Sequence, residues 1–132
     1  MERKTDAGQW AIWGWRVNNP NIDRLDPDQI AHRLDELGRD FADKDSAFRA
    51  LDELTKTVLA EIKLDYATAE RSDAARECRA LASKGYKDHL AALAAARREA
   101  NRAKAALETY RAWVDLKRTV AATDRALMGL GR

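Results

Sequence analysis

The side chains able to break or make bonds are few in this chain, and they are scattered. His32 and His89 are its two histidines, and neither has a cysteine, histidine or acidic partner at metal-ligand spacing. Cys78 is the sole cysteine, so no intramolecular disulfide can form, and with no activating neighbours it reads as a buried or inert thiol. Asp43 and Asp45 stand close together but lack the glycine and the ligand pattern of a calcium loop. No glycine-rich phosphate loop is present. These residues argue against an enzyme and call for neither a metal nor a cofactor.

What remains is charge. Arg97, Lys104, Arg111, Arg118, Arg125 and Arg132 recur at every seventh position. On one supercoiled helix the first five would line an edge about 42 Å long, suited to a polyanion. Four residues before each rung stand Leu93, Ala100, Leu107, Val114, Ala121 and Met128, an apolar seam beside the ladder. A straight helix drifts by roughly 20° per heptad, so the pattern implies a partner helix to coil around. A second apolar row of Ala106, Trp113, Val120 and Leu127 widens the seam and calls for a third helix or another subunit. Lys104, Glu108, Arg111, Asp115 and Arg118 alternate in sign at pairing distance, which would neutralise the middle of the ladder. The densest surplus is therefore Arg97, Arg98, Arg102 and Lys104, with Glu99 inside it. Phosphate contact, a solvated helix face and a protein partner all account for such a cluster.

Aromatic faces supply the other chemistry. Trp10, Trp13 and Trp15 fall within six residues and Arg16 follows them. Three indoles beside a guanidinium would stack on unpaired bases of a single strand. They would equally pack onto the helices of this subunit or the next, where a thin fold needs buried area.

The elements that must hold these groups are helices. Residues 1–25 form a separate Trp-rich arm that ends in the turn chemistry of Asn18, Asn19, Pro20 and Asn21. Asp26, Pro27 and Gln29 spell a helix start, with Asp26 as cap. Ile30, Leu34, Leu37 and Phe41 then mark a short amphipathic helix over 27–43, and Asp43, Asp45 and Ser46 offer a new cap that would break it. A second helix follows over 46–82, its apolar stripe weakening after Ala69. Gly85 suits a left-handed helix end, reversing the chain into a third helix over 86–128. The expected fold is all-α: a long antiparallel, coiled-coil-like helical hairpin with a short helix before it and the Trp-rich arm in front. Residues 26–132 make one helical domain.

Composition agrees with that frame. At 132 residues, 45% apolar and 35% charged, the chain suits a single soluble domain with exposed helices, and no apolar run approaches a membrane span. The start lacks a signal peptide's apolar core, so cytoplasm is the expected compartment. The net charge of +2 is split unevenly: residues 84–132 hold eleven basic against five acidic groups, and residues 1–83 hold thirteen against seventeen. The basic half would meet a nucleic acid or the acidic half of a neighbouring copy.

From Leu51 onward, LDELTKTVLAEI, YKDHLAALAAARREANRAKAALE and the terminal LKRTVAATDRALMGLG resemble small helical phage proteins of recombination and replication gene clusters. Some of these look similar to the recombination mediator of T-even phages, a helical oligomer that binds single-stranded DNA and assists recombinase loading. The resemblance implies a non-enzymatic single-strand-binding accessory, homo-oligomeric, in the host cytoplasm. Arg97, Arg98, Arg102, Lys104, Arg111 and Arg118 become its DNA contacts. The alternative is a small phage inhibitor of a host defence or nucleic-acid enzyme, using the charged helices or Trp10, Trp13, Trp15 and Arg16 as its contact surface.

Overall fold

The computed structural model describes residues 26–131, and these are all-α. Helix α1 spans Pro27–Asp65, α2 spans Asp73–Ala82 and α3 spans Lys84–Leu130. The two long helices pack together as a hairpin, and the short one lies between them in sequence. By their contacts the described residues fall into two units, residues 26–35 with 110–131, and residues 36–109. The Trp-rich arm lies outside the described residues.

The start of α1 follows the sequence expectation: Asp26 Oδ1 accepts the Asp28 N–H at 3.0 Å and the Asp26 carbonyl accepts the Ile30 N–H at 3.0 Å. The expected break at 43–46 is absent, so the short helix of 27–43 and the first half of the next are one helix. Its less exposed positions explain why. Ile30, Leu34, Leu37, Phe41, Lys44, Phe48, Leu51, Thr55, Val58 and Ile62 alternate four- and three-residue steps without interruption, which is the rhythm of a helix buried along one seam. The cap chemistry near residue 45 is spent within the helix instead, with Asp45 Oδ2 accepting from Arg49 Nε at 2.7 Å and Asp40 pairing with Lys44 at 3.2 Å. A poor helix former inside a helix costs only a few tenths of a kcal/mol, less than continuous packing contributes.

The helix expected over 46–82 is in turn divided after Asp65. The elbow at 66–72 is tied by α2: Arg76 Nε donates to the Glu70 carbonyl at 2.7 Å, and its Nη2 donates to the carbonyls of Ala67 and Arg71 at 3.3 and 3.4 Å. These carbonyls have lost their helical partners, and one guanidinium serves three of them. Arg79 adds an ion pair to Glu70 at 2.9 Å and lies over the Tyr66 ring, while Lys63 reaches Asp73 at 3.0 Å. The short helix therefore follows the first long helix, where the sequence pattern placed it at the front. Weakened apolar periodicity through 69–79 leaves too little seam to hold one straight helix there.

Ser83, and not Gly85, makes the reversal. In an extended conformation (φ −67°, ψ 151°) it closes α2, its N–H and Oγ donating to the Ala80 carbonyl at 3.1 and 2.6 Å. It also opens α3, its Oγ accepting the Tyr86 N–H at 3.2 Å and its carbonyl the Lys87 N–H at 3.1 Å. No described glycine has positive φ, and Gly85 sits inside the first turn of α3 facing Ile62.

On α3 the less exposed positions Tyr86, His89, Leu93, Ala96, Ala100, Ala103, Leu107, Tyr110, Val114, Lys117 and Ala121 keep the same alternating steps. The expected seam of Leu93, Ala100, Leu107, Val114 and Ala121 is thus the inner one, but Met128 is 71% exposed. The row beside it inside the hairpin is His89, Ala96, Ala103, Tyr110 and Lys117. The row of Ala106, Val120 and Leu127 is exposed, with Trp113 half-buried. Among the described residues the buried core is Ile30, Ala80, Ala100, Ala103, Leu107 and Val114, of which half are alanines.

Candidate nucleic-acid interface

Arg97, Arg98, Arg102 and Lys104 all lie exposed on α3, in the unit of residues 36–109. They stay outside because each falls beside or opposite the inner positions Ala96, Ala100 and Ala103. Their surroundings differ. The Arg97 guanidinium lies over the Phe48 ring of α1, 5.2 Å from its centroid, which holds the stem against the hairpin and leaves its N–H groups free to donate. Arg98 has no ion-pair partner among the described residues. Arg102 Nη1 pairs with Glu99 at 3.0 Å, and Lys104 approaches Glu108 at 3.9 Å.

Lys44, half-buried on α1, joins the group by reaching Glu99 at 3.9 Å across the hairpin. Five cations thus meet Asp40, Glu99 and Glu108, so the patch keeps a positive excess. Solvent-facing pairs of this kind contribute about 0.3–0.5 kcal/mol each. A phosphate can replace such a carboxylate at little cost. Lys44 and Phe48 escaped the sequence analysis because the expected break at 43–46 hid the Phe41, Lys44, Phe48 rhythm that aims both at α3.

Arg111 and Arg118 lie in the other unit, exposed and without an ion pair among the described residues. The sign alternation along α3 therefore neutralises less than its spacing suggests, Lys104 with Glu108 being the pair of that series that forms. The neighbouring Lys117 and Arg125 are less available. Lys117 is half-buried over the Trp113 ring, and Arg125 Nε donates to the Ala121 carbonyl at 3.3 Å. Trp113 also meets Tyr110, ring centroids 5.7 Å apart. Burial pushes the Tyr110 phenol above its ordinary pKa, partly offset by the nearby Arg33. Trp10, Trp13, Trp15 and Arg16 lie outside the described residues.

The remaining reactive side chains are dispersed. His89 is half-buried in the seam with Nε2 2.9 Å from Thr55 Oγ1 of α1. Cys78, read as a buried or inert thiol, is exposed on α2, so it is not buried, because the helix turns Ala80 and not Cys78 inward. Among the described residues no three metal-ligating side chains converge, and no helix is long and apolar enough to cross a membrane. Compared with known proteins, the chain matches no family model, no curated protein and no solved structure.

Proposed function

We propose that the protein binds single-stranded nucleic acid, as a non-enzymatic, oligomeric accessory of phage-type recombination or replication. The observation that carries this reading is the exposed cluster of Arg97, Arg98, Arg102 and Lys104, with Arg98 unpaired among the described residues and Arg97 steadied by Phe48. Such cations contact phosphates and not base edges, so binding is indifferent to sequence and driven by counterion release. Arg111 and Arg118 add further sites on the same helix. The resemblance of the segments from Leu51 onward to phage recombination proteins supports the same assignment. An oligomer multiplies weak contacts through effective concentration, and a core of six buried residues among those described, half of them alanine, leaves apolar surface for a second copy.

Anisotropy of a labelled single-stranded oligonucleotide at two salt concentrations tests this, with light scattering on the same sample for mass. Replacing Arg97, Arg98, Arg102 and Lys104 by alanine should weaken binding by about tenfold or more at low salt, and flatten the salt slope by roughly 0.7 per lost contact. Absence of binding by the unaltered protein at low salt refutes the proposal. In that event a protein partner takes its place, a reading favoured by Leu54, Leu64, Leu81 and Leu90, which are 40–74% exposed within the unit of residues 36–109.

A further inference from the structure

Lys44 stands where the rhythm of α1 otherwise places apolar side chains. Phe41, Phe48 and Leu51 neighbour it at the same three- and four-residue steps, and all four residues are half-buried. A lysine in such a row lies along it by its stem and carries its ammonium to the edge of the seam. Two carboxylates meet it there, Asp40 of its own helix at 3.2 Å and Glu99 of α3 at 3.9 Å. The Asp40 contact is an ordinary i,i+4 pair of a helix surface. Glu99 comes from across the hairpin, and each of its oxygens has its own cation. Its Oε1 accepts from Arg102 Nη1 at 3.0 Å, while Oε2 faces Lys44. One carboxylate thus lies between cations of two helices, all within the unit of residues 36–109.

A phosphodiester can be held in the same way. Its two non-bridging oxygens share one negative charge, as those of a carboxylate do, and a cation on either side can take one of them. Glu99 is suited to yield the place. On α3 it is the sole acid between Asp88 and Glu108, with Arg97, Arg98, Arg102 and Lys104 around it in sequence. Its side chain is 49% exposed, so it can turn into solvent without opening the seam. The contact to Lys44 is long, and exposed pairs of this kind are weak. Arg98 precedes Arg102 by four residues and shares its face of α3, exposed and without an ion-pair partner among the described residues. With Glu99 turned away, Arg98, Arg102 and Lys44 oppose Asp40 alone.

We propose that Glu99 occupies a phosphate subsite formed by Lys44 and Arg102, and that a bound single strand displaces it, one phosphate then bridging the two helices. This rests on the nucleic-acid reading and adds a path and a restraint to it. The strand passes from Arg98 and Arg102 of α3 onto α1, and binding must first break an ion pair made inside the chain. Glu99 therefore holds the affinity of the interface down.

Glu99→Gln is the test, since the amide keeps the shape and removes the charge. A labelled oligothymidylate is titrated at low salt and followed by anisotropy, with circular dichroism on each variant to verify its helices. Affinity should rise about fivefold, the order expected when one unit charge about 4 Å from a phosphate is removed in water. Adding Lys44→Met, which keeps an unbranched stem in the seam, should abolish that gain. Asp88→Asn removes the same charge eleven residues away on α3, about 16 Å along the helix, and should change affinity by less than twofold. Unchanged affinity in Glu99→Gln overturns this inference and leaves strand binding itself in place. Equal gains in Glu99→Gln and Asp88→Asn also overturn it, because net charge would then be the cause. A gain that survives Lys44→Met does the same, since the strand would not reach α1. Absence of binding by both the unaltered protein and Glu99→Gln overturns the inference together with the reading on which it rests.

Discussion

Two stretches of α3 carry apolar residues at the same spacing and meet opposite fates. Between Leu93 and Leu107 the inner positions are mostly alanines, and Ala100, Ala103 and Leu107 are buried, within a unit where α1 supplies the bulk through Phe41, Phe48 and Leu51. Between Leu116 and Leu130 the side chains are larger, yet Leu116, Leu127, Met128 and Leu130 are 61–84% exposed. The difference is not hydrophobicity, since the exposed stretch is the more apolar of the two. Small residues permit close approach at positions that face the partner helix, whereas the large Leu116, Val120 and Leu127 stay open because their row lies on another face of α3. Apolar spacing shows that a face wants cover, and its orientation toward the neighbouring helix decides whether that helix supplies it.

That comparison can be broken at its strongest point first. Leu107 is 6% exposed, so Leu107→Ala should cost about 2–4 kcal/mol in urea unfolding, while Leu64→Ala, at a position 74% exposed, should stay within about 0.5 kcal/mol. Similar losses at the two sites would mean that the seam is not where the stability lies. Arg76→Ala removes three hydrogen bonds to elbow carbonyls and should cost about 1–2 kcal/mol. Faster amide exchange at 66–72 should accompany it. If exchange there stays slow, the guanidinium does not tie the turn. Thr55→Val deletes the polar contact to His89 inside the seam, and a loss of about 1 kcal/mol is expected from thermal unfolding. A gain in stability would show that the pair serves pairing specificity alone.

The smallest effect concerns Tyr110. Its folded-state pKa is raised by burial, so the fold favours the neutral phenol. That contribution is complete below about pH 10 and is lost as pH rises through the raised value, so unfolding should become easier in that alkaline range. Tyr110→Phe should remove this component of the pH profile, and an unaltered profile in the variant would exclude the phenol as its source.

Much of the hairpin was legible in the chain. The cap at Asp26, the start at Pro27 and the inner seam from Leu93 to Ala121 all follow from local chemistry and heptad spacing, whereas local chemistry points to Gly85 for a helix end that Ser83 makes. Two misjudgements share one cause. Asp43, Asp45 and Ser46 look like a helix break, and residues 66–72 look like weak helix, because capping preference is visible locally while the worth of an unbroken seam is not. The polar members of the inner row, Lys44, His89 and Lys117, were hidden for a related reason: a binary apolar pattern passes over a long or hydrogen-bonded side chain that can lie in a seam by its stem or its partner.

For the candidate interface, the sequence located the basic cluster on α3 and the charge imbalance between the halves of the chain, because both depend only on residue order along a helix. Tertiary structure alone decided that Phe48 carries Arg97, that Lys44 reaches Glu99, and that Arg98, Arg111 and Arg118 are left without a carboxylate among the described residues. Those outcomes depend on which residues of α1 stand opposite each turn of α3. That pairing is set by packing across the whole seam, a sum over many weak contacts that no local stretch of sequence contains.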